Sequence, residues 1–196
     1  MEQPDRRLPV PALLTLILCG ATAVLMLGAL RGERAPDVSF TLLGEDPVAM
    51  SSLRGRPLLV NFWATTCSVC RREMPKLAEL YRELHPVGLE LIGVAMPYDP
   101  PNLVAEHAKR APIPYPVSLD IDGAIVAAFG GVAVTPTTFL MSPEGVILAR
   151  YEGVLDFVEL RRRILMLLRP ARPSGPVDPD GAPARLTVQV STWEDH

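Results

Sequence analysis

The feature that most narrows the fold is Pro57-Leu58-Leu59-Val60-Asn61-Phe62-Trp63, a short, almost unbroken apolar run. A strand that is apolar toward both sides must be covered on both faces, which puts it in the middle of a sheet flanked by helices. The period then changes at once. Met74, Leu77, Tyr81 and Leu84 recur at spacings of three and four, the signature of one helical face. Between strand and helix stands Cys67-Ser68-Val69-Cys70.

The same alternation continues downstream. Leu89–Ala95 reads as a second strand. Asp99-Pro100-Pro101 reads as an N-cap followed by an N1 proline, opening a helix that runs to about Arg110. Tyr115–Leu119 is a third strand and Ala124–Phe129 a short helix. Thr137–Met141 and Val146–Arg150 are strands joined by Ser142-Pro143-Glu144-Gly145, with proline early in the turn and glycine at its close. Asp156 with Glu159 three residues on marks the start of a last helix, whose apolar stripe is Phe157, Leu160, Ile164 and Leu167. Upstream, Phe40–Leu43 and Val48–Met50 flank Gly44-Glu45-Asp46-Pro47, an extra hairpin. Alternating β and α units predict an α/β domain: a central sheet with helices on both faces.

The two ends are of a different kind. Leu8–Leu30 is 23 residues without a charge, and as a helix it would measure about 34 Å against a hydrocarbon core of roughly 30 Å. It has no polar face for a buried core helix. Ala21-Thr22-Ala23 fits a signal-peptide cleavage pattern, but Val24-Leu25-Met26-Leu27 carries the apolar run past it, which suits a retained transmembrane anchor. Leu18 is too bulky to precede a lipidated Cys19, so that cysteine reads as an apolar residue of the anchor. Arg6 and Arg7 before the span are balanced by Arg31 and Arg34 after it, so charge does not orient it. At the other end, Pro170–Pro183 is too rich in proline for helix or interior strand and reads as a flexible tail, with Leu186–Val190 alternating only weakly. A net charge of −3 offers no basic footprint, and no nucleic-acid partner is expected.

The cysteine pair carries the chemistry. At i and i+3 on a first helical turn, two sulfurs can come close enough to bond. Free N–H groups and the helix dipole stabilise a thiolate at Cys67, drawing its pKa from about 8.5 into the ~3.5–7.5 range of such motifs. Cys70, one turn in, is the shielded resolving thiol. A zinc site would need two further ligands, and His85, His107 and His196 show no paired spacing. A purely structural bridge over so short a loop would constrain the unfolded chain little.

Asn61-Phe62-Trp63-Ala64-Thr65-Thr66-Cys67-Ser68-Val69-Cys70-Arg71-Arg72-Glu73-Met74-Pro75 resembles the active-site signature of TlpA/ResA-like membrane-anchored thioredoxin-fold thiol–disulfide oxidoreductases. Thr135-Pro136-Thr137-Thr138-Phe139-Leu140, followed by Glu144-Gly145, resembles their second signature. The resemblance implies a thioredoxin-like fold with a mixed central sheet, to which the residues themselves add the N-terminal hairpin extension and the N-terminal transmembrane helix read above. The chain thus divides into a cytoplasmic stub and transmembrane anchor (1–31), a linker (32–36), a thioredoxin-like domain (37–169) and a proline-rich flexible tail (170–196). The resemblance also implies roles. Cys67 would attack and Cys70 resolve; Pro136 would be a cis-proline facing the disulfide, leaving the Thr135 backbone to pair with a substrate strand. Pro75 would be the helix-kinking proline, and Glu73 an acid that tunes the cysteines, with a solvated helix residue as its alternative. Trp63 reads as core with a partial role at the site. No cofactor is implied beyond the Cys67–Cys70 disulfide.

The implied activity is reduction of specific extracytoplasmic protein disulfides, of the cytochrome c or oxidase copper-site maturation type. The protein would sit in a cell inner membrane with its catalytic domain periplasmic, supplied by a membrane-embedded electron donor. Two departures from the family pattern stand out. Thr66 replaces the usual tryptophan before the first cysteine, and Asn61 stands where thioredoxin has a buried aspartate. Two other activities fit less well. A peroxiredoxin would show P-x-x-x-[ST]-x-x-C, but Ala64 holds the hydroxyl position and 61–66 contain no proline. A copper-delivery or other redox or metal-binding module would need C-x-x-x-C with a ligand histidine, or no dithiol at all.

Overall fold

The computed structural model describes Gly20, residues 32–111 and residues 113–168. Apart from Gly20, the expected anchor at Leu8–Leu30 lies outside these residues, as does the tail at 170–196. Among the described residues no helix is long and apolar enough to cross a membrane.

Seven strands form one sheet: β1 (Ser39–Leu42), β2 (Val48–Ala49), β3 (Leu58–Trp63), β4 (Glu90–Ala95), β5 (Val117–Leu119), β6 (Thr137–Met141) and β7 (Ile147–Glu152). Their spatial order is β2-β1-β5-β4-β3-β6-β7. β4 runs parallel to β3 and to β5, whereas β6 is antiparallel to β3 and β7 to β6. The sheet is therefore mixed. β1 pairs antiparallel with both β2 and β5, so the N-terminal hairpin extends the main sheet. The helices are α1 (Ser68–Leu84), α2 (Pro101–Arg110), α3 (Ala124–Ala128) and α4 (Phe157–Leu168).

β3 lies inside the sheet, between β4 and β6, with every residue buried. Its side chains alternate between the two faces, as pleating requires. Leu58, Val60 and Phe62 join Ile92, Val94, Phe139, Ile125 and Phe129 on the side covered by α3. Leu59 packs on the other side with Leu77, Leu80, Leu84, Leu160 and Ile164 of α1 and α4. Trp63, fully buried, meets Cys70 and Met74 of α1 and Val104 of α2. Burying each large side chain contributes about 1.5–3 kcal/mol, so β3 is the strand through which both cores are stabilised. Gly93 lies opposite Asn61 on β4. A Cβ there would sit 3.1 Å from Tyr115 Cε2 and 3.3 Å from Trp63 Nε1, so the glycine makes room for two aromatic rings.

Two sequence expectations are corrected here. Asp99 does not cap α2: the N-cap is Pro100 and carries no side-chain cap bond. With proline at the first helical positions, fewer N–H groups need a partner, which leaves the Asp99 carboxylate for another use. The third strand is shorter than expected, starting at Val117, since Pro114 and Pro116 lack ladder donors. The last helix begins as expected, with Asp156 Oδ1 accepting from the Val158 and Glu159 amides. The Glu159 carboxylate turns instead to Arg162 and Arg163.

Candidate active site

The break between β3 and α1 builds the site. Cys67 is itself the N-cap residue of α1, in extended conformation, and its Sγ accepts from Cys70 N at 3.1 Å. Arg71 N donates to Cys67 O at 3.2 Å. A sulfur in the N-cap position thus receives a backbone donor at the positive end of a 17-residue helix, the environment that stabilises a thiolate. Cys67 and Cys70 are joined in a disulfide with Cα atoms 5.3 Å apart. Cys70 is 2% exposed, whereas Cys67 is half-buried and open to a partner.

The segment before β6 forms the opposite wall. The Thr135–Pro136 peptide is cis, as the resemblance implied. Thr135 O lies 3.5 Å from Cys67 Sγ. Thr137 Oγ1 donates to Val134 O at 2.8 Å, and Gly153 N donates to Pro136 O at 2.8 Å, so the segment is tied at both sides. Thr135 is half-buried and Val134 is exposed beside it.

Glu73 is buried, which removes its reading as a solvated helix residue. Its Oε1 accepts from Leu155 N at 2.7 Å, tying α1 to the loop before α4, and its Oε2 has no partner. Burial raises the carboxyl above its usual range; the Leu155 bond and the nearby Lys76 and Arg72 offset part of this. Trp63 is core and packs in the cluster that holds Cys70, with its ring against His107 at 5.4 Å. α1 continues through Pro75, which is exposed and lines a groove of about 250 Å³ with Arg71, Met74, Arg82 and His107. Asn61 is buried and donates to Thr138 Oγ1 at 2.9 Å, so this position links β3 to β6 rather than supplying an acid. Among the described residues, no group of three His, Cys, Asp or Glu could hold a metal.

One feature of the site escaped the sequence. Thr65, two residues before Cys67, donates through both N and Oγ1 to the Asp99 carboxylate, each at 2.5 Å. The available signal was a hydroxyl residue in the approach to the dithiol and an acid preceding two prolines.

A mixed sheet whose central strand leads into a C-x-x-C helix start, faced by a cis-proline, defines a thioredoxin-fold dithiol/disulfide protein. The comparisons with known proteins narrow this. The model of the AhpC/TSA family matches residues 31–150. The thiol-disulfide oxidoreductase ResA of Bacillus thuringiensis subsp. konkukian is 30% identical over 156 residues, covering 75% of this chain and 88% of that protein. ResA of Bacillus subtilis (strain 168) is 29% identical, over 74% of this chain and 79% of its own. Among solved structures, a thioredoxin-family thiol:disulfide interchange protein of Chlorobium tepidum TLS superposes with a TM-score of 0.65 at 27% identity, over 71% of this chain and 98% of that one. The chain belongs to the AhpC/TSA family and, within it, to the ResA-like thiol–disulfide oxidoreductases.

Proposed function

We propose that this oxidoreductase is a tethered, extracytoplasmic reductase of selected protein disulfides, of the kind needed in cytochrome c or oxidase copper-site assembly, with a membrane-embedded dithiol donor. The observation that carries it is the half-buried Cys67 sulfur at the head of α1, bonded to a shielded Cys70 and bordered by Thr135 O.

In the reduced protein the Cys67 thiolate attacks one sulfur of the substrate disulfide. The substrate S–S bond breaks, a mixed disulfide forms, and the departing substrate thiolate takes a proton. Cys70, deprotonated in turn, attacks Cys67 Sγ and releases the second substrate thiol. The protein ends oxidised, and two electrons from the donor dithiol restore it. Thr135 presents backbone beside Cys67 for an extended substrate segment. Glu73 sits on the helix that Cys67 caps and that carries Cys70, and it is the acid of the signature.

The decisive measurement is the reduction potential of the Cys67–Cys70 couple. A reductase needs a value well below the roughly −120 mV of a strong dithiol oxidant. A potential at that level would reverse the direction. Anchoring is tested by fractionation and by a reporter fused after Arg169: activity of a reporter that works only in the cytoplasm would refute it. Peroxide consumption by the reduced protein tests the alternative, a peroxidase.

A further inference from the structure

We propose that Asp99 is a positioning residue for the dithiol, acting on Cys67 through Thr65. Its backbone sits in the turn after β4, where Asp99 N donates to Met96 O at 2.9 Å and Met96 N donates to Trp63 O at 3.0 Å. Its carboxylate then closes the link to the approach segment, Oδ2 on Thr65 N and Oδ1 on Thr65 Oγ1. The chain continues through Cys67 N, which donates to Ala64 O at 3.1 Å. The loops after the two central parallel strands are thereby locked together immediately before the reactive sulfur. Asp99 is 5% exposed and Thr65 is half-buried, so the link is largely shielded from solvent. Its helix does not use it.

Two consequences follow from a buried, hydrogen-bonded charge at this place. The segment 64–66 is held so that Cys67 starts the helix in register with the Cys70 amide. The fixed negative charge also opposes a second one on Cys67, against the pull of the helix start. Thr65 and Cys67 have Cα atoms at most about 7 Å apart along the chain, and the Asp99 carboxylate is bonded directly to Thr65. The other ionisable groups around the dithiol are otherwise placed. Glu73 is bonded to Leu155 and Asp120 to the amides of Ile125 and Val126. Arg71 and Arg72 are exposed on α1, and His107 of α2 lies against Trp63.

The inference rests on Cys67 being the reactive thiol, as proposed above. The test uses the reduced full chain, iodoacetamide alkylation against pH, and the plateau rate of exchange with a model disulfide. Asp99→Asn should lower the Cys67 alkylation midpoint by about one unit. Thr65→Val keeps the charge and should leave the midpoint in place while slowing plateau exchange several-fold. Thr65→Ser should restore the wild-type rate. An Asp99→Asn midpoint equal to wild type, or a Thr65→Val midpoint shifted as far, would overturn the proposal. If Asp99→Asn does not fold, unchanged exchange in Thr65→Val overturns it equally. Mapping the alkylated residue separates the two levels. Label on Cys70 in the wild type removes the nucleophile order and this proposal with it; label on Cys67 with an unmoved midpoint removes only the role of Asp99.

Discussion

Glu73 gives the sharpest test of how the site is held, because its carboxylate is buried with one oxygen bonded to Leu155 N and the other unpartnered. Glu73→Ala removes the acceptor and strands the Leu155 amide in a buried setting, a loss of about 1–3 kcal/mol. The emptied side-chain volume adds a cavity cost, bringing the expected total to about 2–4 kcal/mol. Glu73→Gln keeps an acceptor for Leu155 and no longer buries a charge, so at pH 7.5 it should lie within about 1 kcal/mol of wild type. The two differ in their pH dependence. Desolvation by burial raises the folded-state carboxyl above its ordinary 4.5. Between 4.5 and that raised value, the folded protein holds a proton that the unfolded chain has released. Wild-type stability from this group therefore falls as pH climbs through that window, and glutamine has no such component. Urea titrations of both proteins at pH 4 and 7.5 should show wild type gaining on Glu73→Gln at the lower pH. A difference that is constant, or that grows with rising pH, would refute the assignment of burial as the dominant cause.

The remaining predictions are briefer. Cys70→Ser should accumulate a mixed disulfide through Cys67, whereas Cys67→Ser should trap little; equal trapping, read by non-reducing gel and mass mapping, removes the nucleophile order. Gly93→Ala should cost about 1–3 kcal/mol in a denaturant midpoint, because its Cβ would crowd Tyr115 and Trp63; a neutral effect would mean the two rings shift freely.

Most of the fold was legible because β3 advertises itself. Six consecutive buried residues cannot lie at an edge, and the alternation of periods after it fixes the α/β class. The dithiol was legible for a chemical reason: the sequence placed both cysteines on one turn at the head of a helix. What stayed hidden were contacts between residues far apart in the chain. Glu73 with Leu155, and Thr65 with Asp99, are separated by 82 and 34 residues. Local rules could offer Asp99 only a local job, capping the helix that follows. They could not foresee that two prolines would free it for the loop that follows the neighbouring strand β3. Asn61 was legible as a departure from thioredoxin, but its role in bridging β3 to β6 depends on the antiparallel register opposite Thr138.

The way the chain enters the domain bears on how a tethered dithiol would work. Glu33 to Ala35 do not hang free: Ile147 N donates to Glu33 O at 2.7 Å, Ala35 N donates to Gly145 O at 2.8 Å, and Arg34 bridges Val146. These contacts are at the turn between β6 and β7, the end of β6 remote from Pro136 and Cys67. The six residues of β3 separate that end from the dithiol by about 20 Å. With the anchor proposed above, the membrane would meet the domain at its base and the reactive sulfur would face away from it. That geometry suits disulfides on proteins outside the membrane. It is awkward for a donor whose thiols lie at the bilayer surface, because the domain would have to tip to reach them. Residues 33–35 are locked into the sheet and do not themselves supply that freedom. Consecutive prolines introduced before Glu33 should slow re-reduction by the proposed donor while leaving exchange with a soluble disulfide unchanged; an unchanged re-reduction rate would refute the need to tip.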